Sequence, residues 1–354
     1  MPRLSDLVRG QGQPQEDAAS SAGPALTRTE GAATPAAPTP DATDWIRLAQ
    51  DELARFAQGL HQGTVPSFGD LAIIAQGIVT ALQEDDRLLA QVMPAGTGAP
   101  TEHTLPTGGG ASGKAATQLI MNPINVSILA IKMGITLEYD RQQLEQLALA
   151  GLLHDVGMFF VPEEILVKRT PLTSAERDVI EQHPHRGGQV LQGLGPDYGW
   201  LVQVVTQEHE RAGGQGYPNQ LRESDIHPFA QIIGVADVLD ALVSPRPYHR
   251  LYLPHDAVRE ILIAEKAAFS REVLKTLMEG ISLYPLGTHV RLNTGEVGVV
   301  TQLKPRYPLR PVIRTPAEAH EGAQVRTLDL STSTQMRIVE VVKSVGAQEE
   351  AGYG

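Results

Sequence analysis

Cysteine is missing from this chain, whose 354 residues include none. A chain without thiols forms no disulfide bond, no zinc ribbon and no iron–sulfur cluster, and it offers no cysteine nucleophile. Four common kinds of covalent and metal chemistry are therefore excluded before any motif is considered.

Basic residues and long apolar runs are also scarce. The chain has 29 Lys and Arg against 41 Asp and Glu, a net charge of −12. Because DNA, RNA and anionic membranes are bound through basic surfaces, this balance argues against all three as partners. A small anionic ligand stays open, since a bound metal can supply local positive charge.

No uninterrupted apolar run approaches the ~20 residues that cross a bilayer. The longest candidate, 232–243, is broken by Asp237 and Asp240. The N-terminus also lacks the apolar core of a signal peptide. These features predict a soluble protein in the cytoplasm.

The periodicity of apolar residues predicts a mainly α-helical fold. Residues 1–43 are rich in Ala, Pro, Gly and Thr and are expected to form a disordered tail. Residues 44–93 predict a helical pair, with Trp45 and Phe56 on one stripe and a capping box of Ser67 and Asp70 before the second helix. Residues 94–114 are expected to be a flexible linker. Residues 115–282 are predicted to form a helical domain, with a further capping box at Thr173.

The period changes from helical spacing to two after Pro285. Val290 and Leu292 alternate with polar residues, and 293–296 (Asn-Thr-Gly-Glu) has the composition of a hairpin turn. Residues 283–345 therefore predict a small antiparallel β-domain of four or five strands, followed by a tail at 346–354.

The helical domain contains scattered metal-binding residue types. His154 and Asp155 are adjacent, and His183, His209 and Asp237 follow at long intervals. Imidazole binds borderline metals, and a carboxylate can bridge two of them. Asp237 lies in an apolar helical segment, where a charge needs a partner or a metal. A bland alternative is that His154 and Asp155 form an internally satisfied pair in the core.

Six motifs in fixed order resemble those of the HD-GYP domain, a branch of the HD metal-dependent phosphohydrolases of bacteria. They are His154-Asp155-Val156-Gly157, His183-Pro184, His209-Glu210-Arg211, Gly216-Tyr217-Pro218, Val235-Ala236-Asp237 and Arg246-Pro247-Tyr248. The resemblance covers about residues 115–280. It implies an all-helical, HD-type domain that hydrolyses the second messenger cyclic di-GMP with two divalent metal ions, iron or manganese.

The resemblance also implies roles for individual residues. Asp155 would be the catalytic carboxylate that bridges both metals. The metal ligands implied beside it are His154 and Asp237 on the first ion, and His183 and His209 on the second. Glu208, where the family has an imidazole, could still coordinate a metal through oxygen. Tyr217 and Arg246 would line the substrate side of the pocket, although the Gly-Tyr-Pro segment is equally typical of a tight turn with an aromatic plug.

Five positions depart from the family pattern. Asn122 stands where the family usually has a His on the first helix, Gln118 where three-metal members have a Glu, and Gly213 where an acidic residue often follows the histidine motif. Met158 replaces a phosphate-facing Lys, and Glu208 replaces an imidazole. These changes argue against a third metal, and the carboxylate of Glu208 favours hard metals such as manganese, magnesium or iron.

Two functions follow from this pattern. The first is a cyclic di-GMP phosphodiesterase of reduced activity. The second is a catalytically degenerate domain that binds cyclic di-GMP or a signalling protein without hydrolysis. A homodimer is expected only by analogy with the family.

Overall fold

The computed structural model describes residues 41–64, 69–93, 111–168, 170–244, 252–281, 284–304, 307–315 and 325–342. The predicted C-terminal tail and all but residues 41–43 of the predicted N-terminal tail lie outside these ranges. Ser67, from the first capping box, and Arg246, from the predicted substrate-binding set, also lie outside them.

Helices make up most of the described chain. In chain order they are α1 Ala42–His61, α2 Gly69–Glu84, α3 Arg87–Val92, α4 Ala111–Thr136, α5 Arg141–Leu153, α6 Glu163–Leu166, α7 Ser174–Glu181, α8 His183–Gln192, α9 Gly199–Gln207, α10 Pro228–Val243, α11 Pro254–Ala264 and α12 Arg271–Gly280. Short 3-10 turns occur at Val156–Phe160, Pro196–Tyr198, Glu223–Asp225 and Leu330–Thr332.

Capping side chains fix where several of these helices begin. Asp41 caps α1, Asp140 caps α5 and Thr173 caps α7, and each accepts a hydrogen bond from a backbone N–H of the first turn. Such caps satisfy amide groups that have no partner within the helix. The capping box predicted at Thr173 is confirmed, with Glu176 reaching back to the Thr173 amide.

The N-terminal region differs from the expected helical pair. A third short helix, α3, follows α2 and buries Leu88, Leu89 and Val92. Six residues are too few to show a helical period in the sequence. All three helices join the same hydrophobic core as the domain that follows. Helix α4 begins at Ala111, so the last four residues of the predicted linker are helical.

Helix α4 lies at the centre of the helical core. Its residues Ile124, Ile128, Leu129 and Ile131 have no solvent exposure, and the helix continues through Pro123. Contrary to the sequence expectation, one stretch, Ala115–Thr136, is long and apolar enough to cross a membrane by length and composition. In the protein, 72% of that window is buried against other helices, which accounts for its apolar composition.

The C-terminal region is a five-stranded antiparallel sheet, as the sequence predicted. Its strands are β1 His289–Leu292, β2 Val297–Gln302, β3 Val312–Thr315, β4 Arg326–Asp329 and β5 Ile338–Val341, in the order β4-β3-β2-β1-β5. The predicted turn joins β1 to β2, with Gly295 at a φ of 90°. Val290, Leu292, Val300 and Ile313 form a small core of their own under the sheet.

Candidate metal centre

The predicted donors come from four chain segments. His154 directly follows α5, and Asp155 precedes the 3-10 turn Val156–Phe160. His183 opens α8, while Glu208 and His209 follow the last residue of α9. Asp237 lies in α10. All of these donors except Asp237, which lies in the middle of α10, sit at or near helix ends, where the chain changes direction and side chains from different helices can meet.

Glycines at two positions allow these segments to approach closely. A Cβ atom on Gly157 would lie 1.9 Å from the carbonyl oxygen of His183, and one on Gly234 would lie 2.5 Å from the carbonyl oxygen of Glu208. Only a residue without a side chain fits such contacts. Gly157 thus lets the His-Asp segment rest against the start of α8.

Four side chains converge within bonding reach of one point. Asp155, His183, Glu208 and His209 each offer a ligand atom, and these atoms all lie within 4.8 Å of one another. Nε2 of His183 is 3.1 Å from Oδ1 of Asp155, 3.3 Å from Oε1 of Glu208 and 3.1 Å from Nε2 of His209. Nε2 of His209 is 2.8 Å from the same Glu208 oxygen.

Exposure varies across this cluster. Glu208 is fully buried and the His183 side chain is 2% exposed, whereas Asp155 and His209 are 20% and 15% exposed. Glu208 and His183 therefore form the floor of the site. Asp155 and His209 form its rim, which a ligand reaches first.

The electrostatics of the cluster call for a cation. Burial alone would lower the pKa of His183, but hydrogen bonding and charge from Asp155 and Glu208 raise it to about 10. Burial would raise the pKa of Asp155, yet His154 and His183 hold it at about 2. The pKa of Glu208 is likewise lowered against the effect of burial, chiefly by His209. The carboxylates stay charged and attract either protons on the imidazoles or a metal ion.

His154 is oriented for coordination through one nitrogen. Its Nδ1 donates to the carbonyl of Gly151 at 2.9 Å, so Nδ1 carries the proton. Nε2 is buried, has no hydrogen-bond partner among the described residues, and lies 3.6 Å from Oδ2 of Asp155. A backbone bond of this kind fixes the tautomer of metal-binding histidines. His183 uses the same arrangement, with Nδ1 donating to the carbonyl of Ile180 at 2.8 Å.

Asp237 and Asp240 belong to a buried polar network beside the cluster. Asn122 donates to Oδ1 of Asp237 and to Oδ2 of Asp240. Asp240 also accepts hydrogen bonds from Asn125 and Ser244. The charge of Asp237, with those of Asp155 and Glu208, raises the pKa of His154 against the effect of burial. Asp237 is not among the four donors that share a single point.

The Gly-Tyr-Pro segment closes over one side of the site. The Tyr217 ring stacks on His209 with ring centroids 4.6 Å apart, and its amide donates to the His209 carbonyl. Burial, with the nearby charges of Glu208 and Asp155, raises the pKa of Tyr217, so the phenol stays protonated. The tight turn with an aromatic plug, an alternative left open by the sequence, describes this geometry.

Sequence analysis did not identify the anchor of this turn. Glu210 is 3% exposed, and its carboxylate accepts the backbone N–H groups of Asn219 at 2.6 Å and Leu221 at 2.9 Å. Its place in the His-Glu-Arg motif was visible, but nothing in the sequence showed which backbone groups it would meet.

The donors fit a divalent metal. Two carboxylates and two imidazoles face one another, and buried atoms such as Nε2 of His154 and Oε2 of Glu208 lack hydrogen-bond partners in the described chain. An unpaired buried lone pair is costly unless a cation is nearby. Mixed nitrogen and oxygen ligands suit iron, manganese or zinc.

Comparison with known proteins decides the family. Residues 101–273 match the HD domain, and residues 289–349 match a KOW domain associated with the HD domain. A cyclic di-GMP phosphodiesterase of Pseudomonas aeruginosa, PA4108, is 34% identical over 55% of this chain and 47% of its own length. The helical part of the chain is an HD domain with HD-GYP-type relatives. HD-domain phosphohydrolases are metal-dependent, and the four-residue cluster is a candidate site for that metal.

Two further comparisons agree with this assignment. The cyclic di-GMP phosphodiesterase PdeB of Borreliella burgdorferi is 25% identical over 56% of this chain and 52% of its length. The structure of Bd1817, an HD-GYP-type protein of Bdellovibrio bacteriovorus, has a TM-score of 0.50 at 19% identity, over 67% of this chain and 71% of that one. The likeness to Bd1817 concerns the fold alone. The chain spans about half the length of PA4108 and PdeB.

Proposed function

We propose that this HD-GYP protein is a metal-dependent phosphodiesterase that hydrolyses cyclic di-GMP, with two divalent ions, iron or manganese. The convergence of Asp155, His183, Glu208 and His209 within 4.8 Å is the observation that carries the proposal. The names of PA4108 and PdeB support the choice of substrate. Lewis acidity and a hydroxide available near neutral pH are the chemistry that bound ions supply in such sites.

The residues divide between two groups of ligands. We assign His154, Asp155 and Asp237 to one ion, and His183, Glu208 and His209 to the other, with Asp155 shared. The backbone bonds to Nδ1 leave Nε2 of His154 and of His183 as the coordinating atoms. Glu208, as a buried anion, would favour a hard metal at the second position.

Charge explains why these residues would need a bound cation to accept the substrate. Asp155, Glu208 and Asp237 are three carboxylates around one small site, whereas a cyclic dinucleotide carries two negative phosphodiesters. Without cations, like charges would repel in a buried setting of low dielectric. With ions bound, the exposed side chains of Asp155 and His209 would be the first to meet a phosphodiester that enters the site. Tyr217 would then contribute a protonated phenol and an aromatic face beside it.

Met158, at the position where the family has a Lys, is expected to lower the rate of hydrolysis. Met158 is partly buried beside Asp155 and offers no ammonium group to a phosphate. Loss of one such contact typically lowers the rate by about 10²–10³-fold. The proposal is therefore an enzyme of modest turnover. The same substitution favours the alternative, a domain that binds cyclic di-GMP or a signalling protein without cleaving it.

Hydrolysis assays separate the two functions. The protein would be purified anaerobically, loaded with Mn²⁺ or Fe²⁺, and incubated with cyclic di-GMP, with cyclic GMP-AMP as a second substrate. We expect pGpG or GMP from the wild type and none from Asp155→Ala. His185→Ala is the matched control, because His185 is exposed on the same helix as His183 and bonds only to Gln189 in the described chain.

If the metal-loaded wild type makes no more product than Asp155→Ala, the proposal that the protein is a phosphodiesterase is refuted. If calorimetry then shows that the inactive protein binds cyclic di-GMP, the protein is a nucleotide-binding module. If it shows no binding, a module that binds a signalling protein is the remaining alternative. The assignment of Arg246 to the substrate, the cytoplasmic location and a homodimer stay predictions from the family resemblance.

A further inference from the structure

A buried amide joins the candidate metal centre to the central helix of the fold. Asn122 lies on α4 and is 6% exposed. Its Nδ2 atom donates to Oδ1 of Asp237 at 3.0 Å and to Oδ2 of Asp240 at 2.8 Å. An amide nitrogen carries two hydrogens, so both are used, and each goes to a different carboxylate.

The two acceptors lie on one helix turn of α10 and repel each other. Asp240 is 1% exposed, and burial raises its pKa despite three hydrogen bonds. Like charges three residues apart on a helix are unfavourable. Asn122 offsets this repulsion because one rigid group donates to both carboxylates at once.

Neither histidine, which the family usually has at this position, nor aspartate could perform this task. An imidazole nitrogen carries at most one hydrogen, so His could not donate two bonds from a single atom. Asp would add a third negative charge to the pair. Asn therefore does more here than fill the space of a missing histidine.

We propose that Asn122 is a positioning residue, which fixes the Asp237 carboxylate so that Asp237 and His154 together hold a metal ion. This inference rests on the proposed function, because it assigns Asp237 to that metal. The nitrogen of Asn122 is fully engaged by the two carboxylates. The amide determines the direction in which Asp237 presents its oxygens.

The chain supplies a matched control three residues away. Asn125 is on the same face of α4, is 8% exposed, and donates to Oδ1 of Asp240 at 2.8 Å. Like Asn122, it has a buried Oδ1 with no partner among the described residues. It makes no hydrogen bond to Asp237 that the structure shows. Removing Asn125 should therefore disturb the network without releasing Asp237.

The test measures Mn²⁺ affinity and stability in parallel on the full chain. The Kd of Mn²⁺ alone would be measured by calorimetry for the wild type, N122A and N125A, and the Tm of each would be measured without metal. Both variants are expected to lower Tm. N122A is expected to raise the Kd of Mn²⁺ about tenfold or more, as loss of a ligand-orienting group usually does. The increase in Kd caused by N125A is expected to be at least about fivefold smaller.

A double-mutant cycle with D237N tests whether Asn122 acts through Asp237. D237N alone is expected to weaken Mn²⁺ binding, and adding N122A to it is expected to change the Kd by less than about twofold. If N122A does not fold, N122S, which keeps one donor, replaces it in both experiments.

Three results would overturn the proposal: equal losses of affinity in N122A and N125A, an N122A effect that persists in full beside D237N, or no effect of D237N. Failure of the proposed enzyme activity would show separately, as absent hydrolysis by a wild type that still binds Mn²⁺.

Discussion

Binding of Mn²⁺ to the metal-free protein is expected to displace a proton from His183. In the absence of metal, Nε2 of His183 lies between carboxylate oxygens of Asp155 and Glu208, at 3.1 and 3.3 Å. Its Nδ1 donates to the carbonyl of Ile180. Both nitrogens therefore face acceptors, and the imidazole is stabilised as a cation. A metal ligand must be neutral, so metal and proton compete for Nε2.

The size of the effect follows from the pKa of His183. Its usual value is 6.5, and the two carboxylates raise it to about 10 against the effect of burial. At about pH 7.5 the site lies roughly 2.5 units below that pKa, so His183 holds its proton in more than about 99% of molecules. Binding of the metal is then expected to release about one proton per chain from His183.

Calorimetry in several buffers measures this number directly. The apparent enthalpy of Mn²⁺ binding is plotted against the ionisation enthalpy of the buffer, and the slope is the number of protons released. Glu208→Gln is expected to reduce the slope, because it removes one of the charges that hold the proton. His185→Gln, an exposed histidine of the same helix, should leave it unchanged. A slope near zero for the wild type would refute the electrostatic reasoning.

Three further predictions concern stability and loop order. Gly157→Ala would place a methyl group against the His183 carbonyl. It is expected to lower the free energy of unfolding in urea by about 1–3 kcal/mol and to weaken Mn²⁺ binding. In the control Gly199→Ala the added methyl group meets nothing within 4 Å, so the free energy of unfolding should change by less than about 0.5 kcal/mol. Glu210→Ala is expected to cost about 1.5–3 kcal/mol for each backbone hydrogen bond it loses, and to increase hydrogen exchange in the loop that carries Tyr217; normal protection there would contradict the anchoring role. Because the pKa of His183 is raised, the protonated His183 stabilises the metal-free protein fully below about pH 6.5, and this stabilisation is lost as the pH rises to about 10. Midpoints of urea unfolding that do not decline over this pH range would exclude that contribution.

The sequence predicted the site ligands better than their surroundings. His154, Asp155, His183 and His209 were recognisable because their motifs follow the order of the HD-GYP pattern, and Glu208 followed from its place beside His209. The structure brings Asp155, His183, Glu208 and His209 together. The hydrogen bonds of Asn122 and Glu210 were not predictable from the sequence. The partners of Asn122 are 115 or more residues away in the chain. The partners of Glu210 are backbone groups of an irregular loop.

Apolar periodicity also gave a wrong prediction of helices in two places. Helix α3 was missed because it spans six residues, and the start of α4 was placed too late because Gly and Ser near it resemble a linker. Helix α3 is stabilised by the burial of Leu88, Leu89 and Val92 rather than by its length.

The sequence by itself determined the mainly helical fold, the five-stranded domain and the chemistry of the donors, because apolar periodicity and residue type are local properties. The tertiary structure decided which donors meet at one point, which remain to one side, and what holds each in place. Distances between segments far apart in the chain depend on packing, as in the contact of Gly157 with the start of α8. Whether Asn122 is a failed ligand or a support for Asp237 was therefore a question that only the packed helices α4 and α10 could answer.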